Sequence, residues 1–212
     1  MQAQTKKQEK HSIIQLCQQG NYAKSLEMAQ NYQSTYGKEA ALYEIMAVAH
    51  ANLQEWEKAI STIEKALALV RQGKFQQRYF ELLNGFVEQL LAPLIKTNAY
   101  DQRIEDYANL LLSHDKNHRQ AINYLAIAFR RKGKMDEAIG LYQNAIERHE
   151  DTGLYWMGLG MVALQQNDLL KTRRMMQTAL ALEHNDTAAL NLAVTEYDLG
   201  EHKRAMVILD KI

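Results

Sequence analysis

Proline occurs once in 212 residues and glycine ten times. So few chain breakers argue against a loop-rich β fold and against a disordered chain, while abundant Ala, Leu, Glu, Gln and Lys favour helix. Cys17 is the single cysteine, which excludes an internal disulfide framework and fits a reducing compartment. With no His beside it in sequence, the expected role of Cys17 is that of a small buried apolar group. Neither sign of charge is in excess, 25 Lys and Arg standing against 25 Asp and Glu. The basic surplus with which a nucleic-acid binder displaces counterions is therefore missing. No apolar run is long enough for a bilayer: the longest, Leu154 to Leu164, is roughly half of a spanning helix. The polar start MQAQTKKQEK is followed by no signal-peptide core. These absences predict a soluble, cytoplasmic chain with no membrane insertion.

What is present is a period. QGNYAKSLEMAQNY (19–32), LQEWEKAISTIEKA (53–66), KGKMDEAIGLYQNA (132–145), QNDLLKTRRMMQTA (166–179) and LGEHKRAMVILDKI (199–212) align with one another. Each opens on Gly or a polar turn residue, then a large residue, then a small one at Ser25, Ala59, Ala138, Thr172 and Ala205. The segment NAYDQRIEDYANLL (98–111) supplies a sixth member, with Arg103 in the small slot as its weakest match. Upstream of the turns lie further apolar-periodic stretches at 40–52, 119–131, 153–165 and 187–199. The spacing predicts a unit of helix, short turn and helix, recurring about every 34 residues.

Trp156, Leu159, Gly160, Ala163, Ala179 and the run ALALEHND (179–186) carry a resemblance to the tetratricopeptide repeat (TPR) family. Tyr43, Met46, Ala47, Ala59 and Ala66 fill similar slots in the second unit, as do Leu125, Ala126, Phe129, Ala138 and Ala145 in the fourth. The resemblance implies an all-α solenoid of about six helix-turn-helix repeats in a right-handed superhelix. It is expected as a single repeat domain over 1–212, with units near 6–39, 40–83, 84–118, 119–152, 153–185 and 186–212, the last incomplete. The third unit carries about ten extra residues around GKFQQRYFELLNGF (73–86) and the lone Pro93. Proline removes a backbone donor and clashes one turn back, so a lengthened helix is expected there, kinked or broken near Leu91–Ala92.

The segment from Gly153 is apolar all round. On a helix, Trp156, Leu159, Gly160 and Ala163 share one face, expected against Met176 and Ala179 of the following helix, with Gly160 allowing close approach. Leu154, Met157, Met161 and Leu164 form a second stripe. In TPR arrays first helices line the concave wall, so the resemblance turns this second stripe partly into that channel. Equivalent positions are Gln120, Asn123, Ile127 and Arg130 in the fourth unit, and Thr187, Leu190, Val194 and Tyr197 in the sixth. The candidate partner-binding groove is then Asn123, Ile127, Arg130, Arg131, Leu154, Met157, Met161, Leu164, Leu190, Val194 and Tyr197. An apolar peptide or helix of another protein would lie there, with Arg130 or Arg131 meeting an acidic group. The competing reading is plain packing between neighbouring helices.

Lys10, Ile14, Glu44 and Val48 lack the pattern of a chaperone-tail carboxylate clamp. His114, Asp115 and His118 have a spacing that could suit a metal, but they fall at a repeat junction where polar turn residues are expected, as do His149 and His184. No phosphate loop, nucleophile elbow or HExxH occurs, so no catalytic residue, metal or cofactor is expected. The expected function is a non-catalytic protein-interaction scaffold or adaptor. The alternatives are the targeting arm of an enzyme or signalling protein, or a subunit of a pilus or secretion machine. The final KRAMVILDKI leaves apolar groups without a polar cap. Three readings are open for it: a fragment of a longer protein, a homodimer through the C-terminal helix, or a fraying end. The first is preferred.

Overall fold

The computed structural model describes residues 2–97, 99–148 and 152–212. Among these residues it is all helix, without a strand. The helices are α1 (Gln2–Gln18), α2 (Tyr22–Tyr36), α3 (Ala40–Asn52), α4 (Trp56–Leu69), α5 (Lys74–Lys96) and α6 (Gln102–His114). They continue as α7 (Arg119–Arg131), α8 (Met135–Glu147), α9 (Gly153–Gln165), α10 (Leu169–Leu182), α11 (Asp186–Asp198) and α12 (His202–Leu209). They fall into two compact units, Met1–Thr97 and Asn98–Ile212. The division comes inside the third repeat, α5 belonging to the first unit and α6 to the second.

The turns explain why hairpins recur. Gly20, Gln54, Gly133, Asn167 and Gly200 all have positive φ, and each stands five residues before its small slot. A residue in that left-handed conformation lets the next N–H turn back onto the ending helix. Asn21 N–H reaches Leu16 O at 2.9 Å, Glu55 reaches His50 at 3.0 Å, Lys134 reaches Phe129 at 2.9 Å, Asp168 reaches Ala163 at 2.9 Å and Glu201 reaches Glu196 at 2.8 Å. One motif therefore closes five hairpins.

The small slots are where the second helix meets the first. Ser25, Ala59, Ala138, Thr172 and Ala205 are all buried, and Ser25 Oγ donates to Ile13 O at 3.0 Å across its hairpin. In α6 the slot is Ile104 and not Arg103: Ile104, Ala108 and Leu111 are buried while Arg103 is exposed. Their spacing matches Ser25, Ala29 and Tyr32. Arg103 instead turns back to Asp101, with Nη2 to Oδ2 at 2.9 Å.

The insertion becomes α5, of 23 residues, and it runs through Pro93 without a break at Leu91–Ala92. Pro93 sits one turn from the end, and both it and Gln89, whose carbonyl loses its helical donor, are exposed. Water can satisfy that carbonyl, so the helix continues. In the first unit, Cys17 is half-buried, its thiol pushed up by burial, rather than fully in the core. Glu39, at the start of α3, takes Lys6 at 2.9 Å and Lys10 at 2.6 Å. Those two ammonium groups, with the Tyr32 hydroxyl, hold its carboxyl down at about 2.

Candidate functional site

In the second unit α9 is the central helix, and this accounts for its all-round apolarity. Tyr155, Leu159 and Val162 join Ile122, Ala126, Ala138 and Tyr142 in one core cluster, with Leu154 and Trp156 packed against it. Met157 and Met161 pack on the other side, against Met176, Ala179, Ala188 and Leu192. Three glycines let neighbours come close. A Cβ at Gly158 would stand 2.2 Å from the Tyr142 ring, one at Gly153 2.7 Å from Ala179 O, and one at Gly160 2.9 Å from Met176 Cε. The stripe with Gly160 does face Met176, as its spacing predicts.

The expected groove residues separate into three groups. Asn123 leaves the set: it is buried, and its Oδ1 accepts the Tyr142 hydroxyl at 2.9 Å. A hydroxyl sealed in an apolar core needs that acceptor, which the surface-facing reading of Asn123 overlooked. Leu154, Met157 and Ile127 are half-buried, the first two within the core packing just described.

Arg130, Arg131, Met161 and Leu164 come together, joined by Gln165, around a cavity of about 330 Å³ at the last turns of α7 and α9. Arg130 Nη1 donates to Gln165 Oε1 at 3.0 Å, and Arg131 Nη1 to Ala99 O at 3.1 Å. Burial weakens the hold of both guanidiniums on their protons, and Arg130 does so further for Arg131. Two adjacent positive groups thus share a partly dry concavity with a methionine and a leucine. Guanidinium groups in such a setting have the chemistry to hold a carboxylate.

Leu190, Val194 and Tyr197 lie in a different concavity. With Ala193 they form one wall of a groove of about 340 Å³, whose other wall is His202, Ala205, Met206 and Leu209 of α12. The contribution of α12 was missed because its sequence reads as the outer helix of a hairpin. Its signal was Ala205, Met206 and Leu209, which share one face of a helix with His202.

The histidines at repeat junctions serve the backbone. His118 caps α7, its Nδ1 accepting Ala121 N–H at 3.2 Å, and Asp115 Oδ1 accepts Asn117 N–H at 3.0 Å. His184 meets Asp186 at 3.1 Å in solvent. His149 lies outside the described residues. Among the described residues no helix is long and apolar enough to cross a membrane.

Residues 41–77 and 124–171 match family models described as tetratricopeptide repeat. A tetratricopeptide repeat protein from Parabacteroides merdae is similar in structure, with TM-score 0.64 and 13% identity over 98% of this chain and 78% of that one. The C-terminal part of a TPR repeat-containing protein from Cytophaga hutchinsonii gives TM-score 0.59 and 16% identity, covering 95% and 76%. YrrB, described as a TPR protein with an unusual peptide-binding site, gives TM-score 0.53 and 15% identity, covering 84% and 86%. No curated protein matches the chain. These likenesses are to the fold, which is that of a helical repeat scaffold.

Proposed function

We propose, from the premise that this chain belongs to the tetratricopeptide repeat family, that it is a non-catalytic scaffold holding a segment of another protein. The segment docks at the cavity bounded by Arg130, Arg131, Met161, Leu164 and Gln165, and it carries an acidic group beside apolar side chains. The observation that carries this reading is the pair of half-buried arginines set against apolar groups in an open concavity. Among the described residues that line the cavity none is acidic, so an incoming anion meets no like charge there. Met161 adds a flexible, polarisable surface that adapts to irregular apolar groups. The structural likeness to YrrB, a peptide-binding TPR protein by its description, supports the class of ligand and not the location.

The test is a screen of short peptides combining Glu or Asp with Leu, Ile or Phe, read by fluorescence anisotropy on the intact chain. Peptides selected by the native protein should lose at least about tenfold in affinity on Arg130→Glu, the scale of a lost charged contact. Leu164→Glu should act likewise, with the helical content and melting point of both variants preserved. Equal binding by native and variant chains would remove the cavity as the docking place. So would a screen in which acidic and neutral peptides bind alike.

A further inference from the structure

The groove between α11 and α12 is the more apolar of the two concavities, and nothing among the described residues covers it. Leu190, Val194 and Tyr197 stand 52%, 48% and 61% exposed, and Met206 and Leu209 63% and 49%. Scattered apolar groups are ordinary on a surface; five large ones around one groove mark a contact.

The repeat itself shows what kind of object fits. Moved back by 33 residues, Leu190, Val194 and Tyr197 become Met157, Met161 and Leu164. Met157 and Met161 pack in a cluster with Ala188 and Leu192 of the next helix, α11. The uncovered face is thus built like a surface that receives a helix, with side chains spaced for ridges and grooves.

The geometry points to the second α12 of a two-fold symmetric dimer as that helix, lying antiparallel in the groove of its partner while its own groove receives the partner's α12. Charge selects this occupant. Lys203 and Asp210 are exposed and seven residues apart, hence on one flank of α12 beside Met206. Antiparallel pairing about a two-fold axis that passes between Met206 and Val207 sets Lys203 against Asp210 of the partner subunit, and symmetry makes the contact twice. Parallel pairing would set lysine against lysine and aspartate against aspartate. Head-to-tail stacking would instead present α1, where the positions equivalent to Ala188 and Leu192 are Gln8 and Ser12. Those polar groups cannot fill an apolar groove, so a closed pair is favoured over an open chain of copies. The inference is independent of the arginine cavity.

Sedimentation velocity on the full chain tests it. The expected species at micromolar concentration has twice the 24.4 kDa monomer mass. Met206→Glu, at an exposed position, should leave the helical signal intact and weaken the dimer by at least about a hundredfold, the range of an interface anchor. Asp210→Lys should weaken it by about tenfold through like-charge contact, and Lys203→Asp added to it should restore the affinity. Arg130→Glu should leave the dimer unchanged, which separates this result from that of the peptide screen. A monomer at every concentration, open-ended assemblies, a dimer indifferent to Met206→Glu, or a charge reversal without rescue would each overturn the proposal.

Discussion

At Gly158 a methyl group would stand 2.2 Å from the Tyr142 ring carbon and 2.5 Å from its hydroxyl oxygen. Tyr142 is 2% exposed and donates to Asn123, so the ring has nowhere to go without breaking a buried hydrogen bond. Alanine normally gains roughly 1 kcal/mol over glycine inside a helix. Here overpacking opposes it by about 1–3 kcal/mol, and loss of the Tyr142–Asn123 bond adds to the cost. Gly158→Ala should therefore lower the urea midpoint. Gly160→Ala, whose methyl meets the flexible end of Met176 at 2.9 Å, should cost less. The reverse order would show that α9 is not held against Tyr142 as described. Sequence spacing gave a packing reason for Gly160 alone; the requirement at Gly158 depends on a tyrosine sixteen residues upstream, which no local pattern reveals. Asn123 shows the same limit, since its helical face is legible and its buried partner is not.

At the scale of the element, the hairpin turns were the most legible feature, because a local rule governs them. A left-handed residue five places before each small slot closes the helix whatever lies around it. Gly20, Gly133 and Gly200 meet that requirement without strain; Gln54, at φ 60°, does not. A β-carbon in that region costs roughly 1 kcal/mol, so Gln54→Gly should raise the stability by up to that amount, less the greater freedom glycine gives the unfolded chain. Thermal melts of the variant check it, and a fall in melting point would contradict the turn argument. Two elements departed from expectation. Helix α5 continues past Pro93 at a place where Gln89 and Pro93 are exposed and water can reach the freed carbonyl, and a proline rule applied without knowledge of exposure overstates the break. In α6 the slot is shifted by one residue, from Arg103 to Ile104.

At the scale of the molecule, periodicity alone pointed to the all-helical repeat fold, since a hydrophobic hairpin can bury its outer faces only by stacking on another. The division into units at Thr97 and Asn98 was not legible, although the insertion that precedes it was. The expected groove was read as one wall. Helical spacing marks which residues share a face, but not which of those faces a neighbour covers, and so Asn123, Leu154 and Met157 of that wall are taken up in packing. What persisted is a basic and apolar cavity between α7 and α9, and an apolar groove between α11 and α12.

The first of these carries the proposed function, and a double-mutant cycle tests it most directly. A peptide selected on the native chain would be compared with its acid-to-amide counterpart, against native protein and against Arg130→Met, by titration calorimetry. Arg130 contacting the carboxylate predicts that the two single changes each cost affinity and that the double change costs about tenfold less than their sum. Losses that add independently, or an Arg130→Met chain that still distinguishes acid from amide as the native chain does, would contradict it.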